Sequence, residues 1–412
     1  MGYVIGIVLT IVALMISVAL HELGHMIPAK RFGVYVPQYM VGFGPTMVSK
    51  KVGETEYGIK WFLLGGFVSL AGMFAPAPAG TKTMNRKGEP TLAEEARQQS
   101  REELDTVGEE RAFYRLATWQ KLVVMLGGPV TNLVLAIAIF AIVIMGIGLS
   151  QPTTTIASVP PCLDPTVTTC TSEAPRSPAA EAGIQAGDVV TSWDGHETSS
   201  WSDVTAAIAE SGERTVPVTV ERDGQRVTLA VRAVSVSGAP RVGIESKVER
   251  IRGGVGDVAS SVSQMVTGTA SLIVTLPQQV WHVARGMIDH TPRGTSSVLS
   301  VIGVGRLAAE TTASSAPVSI LDRVAMLLSL WGSLNIALFV FNLIPLPPLD
   351  GGHIAGALWE GIRRAWGKLR GRDTVIYSDT ARLVPLTYTV ALALIVMTVV
   401  LMAADVINPI RW

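Results

Sequence analysis

The sequence predicts an α-helical membrane protein with about four transmembrane helices, a small membrane-associated β-element and one α+β domain outside the cytoplasm. Three observations carry that expectation. The 412 residues are 48% hydrophobic with zero formal net charge, and the apolar residues are clustered rather than spread. Tyr3–Leu20, Leu122–Leu149, Val324–Leu349 and Leu383–Ala404 contain no ionisable group other than tyrosine. Each meets the ~18–25 residues needed to cross a hydrocarbon core about 30 Å thick. Between the second and third stretches lies a long region with strand and helix periodicity. The charge balance gives no argument for nucleic acid, and none is expected as a partner; membrane lipid is.

Taken in order, residues 1–25 form the first span. A signal peptide would show a basic n-region and a small-residue cleavage site, and this segment has neither, so a retained helix is expected. Residues 26–75, rich in glycine and β-formers, read as a small sheet, with alternation in "VGETEYGIKW" and "GGFVSL". Beside a membrane helix such strands need a protein screen or a polar cavity. Residues 76–118 read as a solvated cytoplasmic insertion with a charged helix-like run, and 119–150 as the second span. Residues 151–178 read as a linker holding the only two cysteines, Cys162 and Cys170. A bridge between them is expected in an oxidising compartment, two free thiols being the alternative.

Residues 179–235 contain a strand, "DVVTSWDG", then a helix that Ser202 can cap and Gly212 can close, then a hairpin turning at Asp223–Gly224. This order, and "AGIQAGDVVTSWDG" in particular, resembles a PDZ domain. Residues 236–323 include an apolar but polar-flecked stretch interrupted by Pro277, expected as an amphipathic helical segment outside the membrane. Residues 324–350 form the third span, 351–382 a cytoplasmic loop and 383–405 the fourth span. Lys30, Arg31, Arg111, Arg115 and Lys121 flank the first connection. Arg363, Arg364, Lys368, Arg370, Arg372 and Arg382, against Glu360, Asp373 and Asp379, fill the last. By the positive-inside rule both connections are cytoplasmic.

The chemistry concentrates at "HELGH". His21 and His25 lie four apart, on one helical face, where both imidazoles can reach a single tetrahedral zinc. Glu22 points aside, where it can take a proton from water. The motif alone arises by chance in many chains. Ionisable groups at membrane depth, however, cost at least ~2.5–3 kcal/mol each and call for a partner such as a divalent ion. A third ligand is available in "FNLIPLPPLDGGH": Pro345, Pro347 and Pro348 force the chain to unwind, and Asp350 is the first charge beyond them. The donor set suits zinc best, although iron(II) and cobalt bind such sets too.

The HExxH of the first span, the NxxPxPxLDG pattern from Asn342 through Gly351 and the intervening PDZ-like region together resemble the site-2 protease family of intramembrane zinc metalloproteases. One PDZ domain and four spans are similar to its actinobacterial branch. The resemblance implies zinc on His21, His25 and Asp350, with Glu22 as the catalytic base. It further implies that Asn342 contacts substrate backbone or oxyanion, and that the edge at Gly66, Phe67 and Val68 pairs with an unwound substrate strand. "LGGPVTN", with Gly128, Pro129 and Asn132, also matches a family motif, with helix packing the alternative. Implied partners are single-pass membrane proteins such as anti-sigma factors, trimmed first by a site-1-type protease. The implied location is the plasma membrane, with the active site toward the cytoplasm and the PDZ domain outside. A receptor or a transporter could also place metal ligands in spans, but neither needs the base at Glu22. His353, His196, His282 and His290 read as incidental.

Overall fold

The structure, a computed structural model, describes every residue except 1, 79, 164–169, 171–174, 237, 290, 292–299, 314–318, 372–376 and 409–412. His290, Arg372 and Asp373 therefore lie outside the described residues. The chain divides into two compact units, one of Met1–Ile147 with Gly253–Trp412 and the other of Gly148–Arg252.

The first unit opens with α1 (Gly2–Arg31), which runs beyond the expected end at residue 25 and straight through Pro28. That proline has no N–H to give the Gly24 carbonyl. Strands β1 (Gln38–Val52) and β2 (Thr55–Val68) follow as an antiparallel pair. Both strands bend sharply where Gly42, Gly44 and Gly65 take positive φ, at 94°, 83° and 119°. Consequently Tyr39, Met40 and Val41 pair on one side with Tyr57, Gly58 and Ile59, and on the other with Val68, Phe67 and Gly66. The final three residues of β2 thus form an outer edge. Helix α2 (Leu92–Glu102) is capped by Thr91, whose side chain accepts from Glu94 N.

The insertion is less solvated than its charge indicated. Arg97 is 1% exposed, paired with Glu94 and, across the sequence, with Asp379. Helix α3 (Thr118–Ala141) continues as a π-helical turn over Ile142–Ile147. A core of Met26, Ala29, Val34, Val36, Leu70, Phe113, Leu116, Val124 and Met125 locks the end of α1, the β-element and α3 together.

The second unit comprises β3 (Leu149–Ser158), α4 (Pro178–Ala182), β4 (Val189–Trp193), β5 (His196–Glu197), α5 (Trp201–Ser211), β6 (Thr215–Arg222), β7 (Gln225–Arg232), β8 (Val234–Val236), β9 (Ala239–Arg241) and β10 (Glu245–Ile251). Its main sheet runs β10-β3-β4-β6-β7, with β5 on β4, around a core centred on Trp193. Three expectations are corrected here. The supposed linker supplies β3, and the stretch after residue 235 supplies β10. The unit is therefore longer than 179–235 at both ends, because these two polar strands find each other only across the whole intervening fold. Ser200, not Ser202, caps α5, accepting from Asp203 N while Asp203 accepts from Ser200 N. Cys162 and Cys170 are bridged, with Cα atoms 5.4 Å apart.

The chain then returns to the first unit. Helix α6 (Val255–Asp289) passes through Pro277 without ending and packs on α3, α8 (Ile320–Asn342) and α10 (Val384–Ile407). Helix α7 (Val301–Ala313) lies against α1. Helix α9 (Asp350–Leu369) connects α8 to α10. The third span therefore ends at Asn342 rather than at 350; the proline-rich Leu343–Leu349 is irregular and Asp350 begins a new helix. Helices long and apolar enough to cross a membrane number four among the described residues: Val4–Arg31, Thr118–Ile147, Ile320–Asn342 and Thr380–Ile407.

Candidate active site

The helical repeat of α1 stacks His21 and His25, 9% and 4% exposed, on the side facing α3. The break after α8 delivers Asp350 to the same point. His21 Nε2 and His25 Nε2 are 3.2 Å apart and stand 3.2 and 3.3 Å from Asp350 Oδ2. The His25 Nδ1–H donates to the Val124 carbonyl at 2.8 Å, so its Nε2 turns a lone pair inward. On His21, Nδ1 lies 3.1 Å from the Asn132 amide. With Nδ1 protonated, the amide would present Oδ1, half a turn from the orientation seen. In the observed orientation Asn132 Oδ1 is buried without a hydrogen bond.

With the amide turned and Nδ1 protonated on both rings, three electron-rich atoms converge, and Asp350 Oδ2 is left without a hydrogen-bond donor among the described residues. A cation resolves that conflict. Ligands about 2.0 Å from a tetrahedral ion stand about 3.3 Å apart, which is the size of this triangle. Space for the convergence depends on Gly128: a Cβ there would lie 2.2 Å from His25 Nε2 and 2.8 Å from His21 Nε2. Close approach of α1 and α3 is fixed next door, where a Cβ on Gly127 would meet the Gly24 carbonyl oxygen at 2.0 Å. Among the described residues this is the one cluster of three or more side chains able to hold a metal.

Glu22 sits half-buried beside the outer edge of β2. The Val68 backbone lies close enough to act electrostatically on its carboxylate. A Cβ on Gly66 would meet Val18 at 2.8 Å and Glu22 Cγ at 3.4 Å. Tyr39 clamps the β-element to α1 by donating to the Ala19 carbonyl at 2.6 Å. Burial, and then the Glu22 carboxylate, push its phenol up to about 12, so it stays a donor.

Of the residues named from sequence, the structure brings His21, Glu22, His25, Asp350 and the Gly66–Val68 edge together; Phe67 also stacks on Phe43. Asn342 closes α8, half-buried, without a hydrogen bond to the histidines or Asp350 among the described residues. His353 is half-buried one turn beyond Asp350, and His282 is exposed. Sequence reasoning gave Gly128 and Asn132 no defined role. Their only signal was the "LGGPVTN" resemblance, since a glycine in an apolar span has no spacing signature.

Buried imidazoles, a carboxylate and a neighbouring acid at the end of a membrane helix define a membrane-bound metallohydrolase class. The family model described as Peptidase family M50 matches residues 9–386, and the chain belongs to this site-2 protease family of metalloendopeptidases. It is 33% identical to the zinc metalloprotease Rip1 of Mycobacterium tuberculosis over 440 aligned positions, spanning 100% of this chain and 99% of that one. Identity to the Mycolicibacterium smegmatis Rip1 is 31%, over 99% of each chain, and to metalloprotease MmpA of Caulobacter vibrioides 27%, over 88% of each. The protein is a zinc-dependent metalloendopeptidase of the membrane.

Proposed function

We propose that the protein hydrolyses a peptide bond in or beside the transmembrane segment of single-pass membrane proteins, with anti-sigma factors as a substrate class. His21, His25 and Asp350 would hold the zinc, and their 3.2–3.3 Å triangle is the observation that carries the reading. When bound, zinc supplies a Lewis acid that polarises a peptide carbonyl and brings the pKa of water toward ~7. Glu22 accepts the proton of the attacking water on its carboxylate and returns it to the leaving amine.

A helical substrate must unwind before its backbone is accessible, and unwound backbone at membrane depth needs hydrogen-bonding partners. The outer edge at Gly66, Phe67 and Val68, alongside Glu22, can supply them by strand addition. Asn342 is assigned to the substrate backbone or the developing oxyanion. The basic residues of the first and last connections favour a cytoplasmic active site in the plasma membrane, with the Gly148–Arg252 unit outside. That unit we read as a PDZ-like filter, passing substrates that a site-1-type protease has trimmed.

The test is Glu22→Gln in cells expressing a tagged single-pass substrate. Cleavage should fall by about two to four orders of magnitude while bound zinc is retained. Undiminished cleavage would reject the assignment.

A further inference from the structure

Helix α9 carries an exposed apolar stripe that the proposed reaction does not use. Leu358, Trp359, Ile362, Trp366 and Leu369 are 48%, 58%, 59%, 58% and 84% exposed. At 3.6 residues per turn they fall within about 100° of arc. Arg363 and Arg370 border the stripe on one side and Lys368 on the other, all exposed, and the Arg370 guanidinium lies 4.9 Å from the Trp366 ring centre.

The opposite face is fixed to the protein. Glu360 receives Lys121 at 2.8 and 2.9 Å and the Ser378 amide at 2.9 Å, while a Cβ on Gly361 would meet Thr118 at 2.9 Å. The stripe is therefore held outward by design of the inner face. Helix α9 also joins two successive candidate spans, Ile320–Asn342 and Thr380–Ile407, so both its ends lie at the same membrane surface. An apolar stripe with paired tryptophans and flanking cations, lying where spans exit, fits one occupant.

We propose that α9 lies in the headgroup region of the leaflet where α8 exits, with its apolar stripe among acyl chains and Arg363, Lys368 and Arg370 on anionic phospholipid. The chemistry is that of an interfacial amphipathic helix: apolar burial on one face, headgroup attraction at its borders. Because Asp350 is the first residue of α9, the lipid surface also braces the helix that carries it. This corollary rests on the proposed metal site; the lipid contact does not.

The experiment uses the full chain in nanodiscs. Cys162 and Cys170 are bridged, so a nitroxide can be placed selectively on Ile362→Cys or Ala365→Cys. Gln98→Cys on α2 serves as the aqueous reference and Leu392→Cys on α10 as the hydrocarbon reference. In mixed phosphatidylcholine–phosphatidylglycerol discs, labels at 362 and 365 should collide with oxygen more, and with an aqueous nickel chelate less, than the label at 98. Discs of phosphatidylcholine alone should shift both labels toward the aqueous reference without any substitution, as should R363E/K368E/R370E in the mixed discs. Labels as open to nickel as Gln98→Cys, or dipolar broadening that reports a second copy on the stripe, would overturn the proposal. Depth insensitive to anionic lipid would overturn the headgroup assignment. None of these readouts depends on protease activity, so they stand apart from any failure of the catalytic reading.

Discussion

At the scale of single residues, the site depends on what is absent as much as on what is present. Gly128 leaves the space in which two imidazoles turn toward one carboxylate. Gly128→Ala places a methyl 2.2 Å from His25 Nε2, and ring displacements of about an ångström cost about a hundredfold in rate. Zinc content by elemental analysis should fall together with activity, in contrast to Glu22→Gln, which should keep its metal. Asn132 holds the His21 ring by the nitrogen that does not face the site. Asn132→Leu should weaken zinc binding or activity by about 10- to 100-fold, measured by competition with a chelator. The paired HExxH and LDG motifs were legible because metal chemistry dictates residue type and spacing. The residues behind them were not, because a glycine that makes room and an amide that orients a ring acquire meaning only from neighbours on another helix.

At the scale of elements, α3 and α9 are joined by a buried ion pair. Lys121 is 5% exposed and Glu360 2%. Removing one partner of such a pair costs ~3–5 kcal/mol, and Arg364, 2.7 Å from Glu360, keeps part of the carboxylate's compensation. Lys121→Met should therefore lower thermal stability in detergent toward the smaller of those values. In the second unit, backbone and side-chain hydrogen bonds from Ser199 and Ser200 bring the Asp203 carboxyl from 3.8 down to about 2. A carboxyl lowered on folding stabilises above its unfolded pKa, so this contribution is complete above about pH 5 and is lost as pH falls toward 2. Asp203→Asn should flatten that part of the acid-unfolding curve. Sequence periodicity placed the helix α5 and the β6–β7 hairpin correctly. It missed β3 and β10, because polar strands carry little alternation of their own and are defined by the strand they pair with.

At the scale of the whole molecule, all the candidate site residues lie in one unit, while Gly148–Arg252 forms another that interrupts it between α3 and α6. If the inserted unit filters substrates, replacing Gly148–Arg252 by a flexible linker should leave zinc content unchanged and allow cleavage of an untrimmed single-pass substrate. Continued dependence on prior trimming, read by immunoblot of the tagged substrate, would remove the filter role.

The sequence by itself determined that the chain is a membrane protein, that zinc chemistry is at hand, and that His21, Glu22, His25 and Asp350 are its candidates. These follow from apolar length and from ionisable groups placed where lipid makes them costly. Only the tertiary structure decided that the imidazoles and the carboxylate meet at ion-binding distance, that a bent β-edge lies beside Glu22, and that one apolar face of α9 is left exposed. Each of those depends on the approach of surfaces far apart in the chain, which no local pattern encodes.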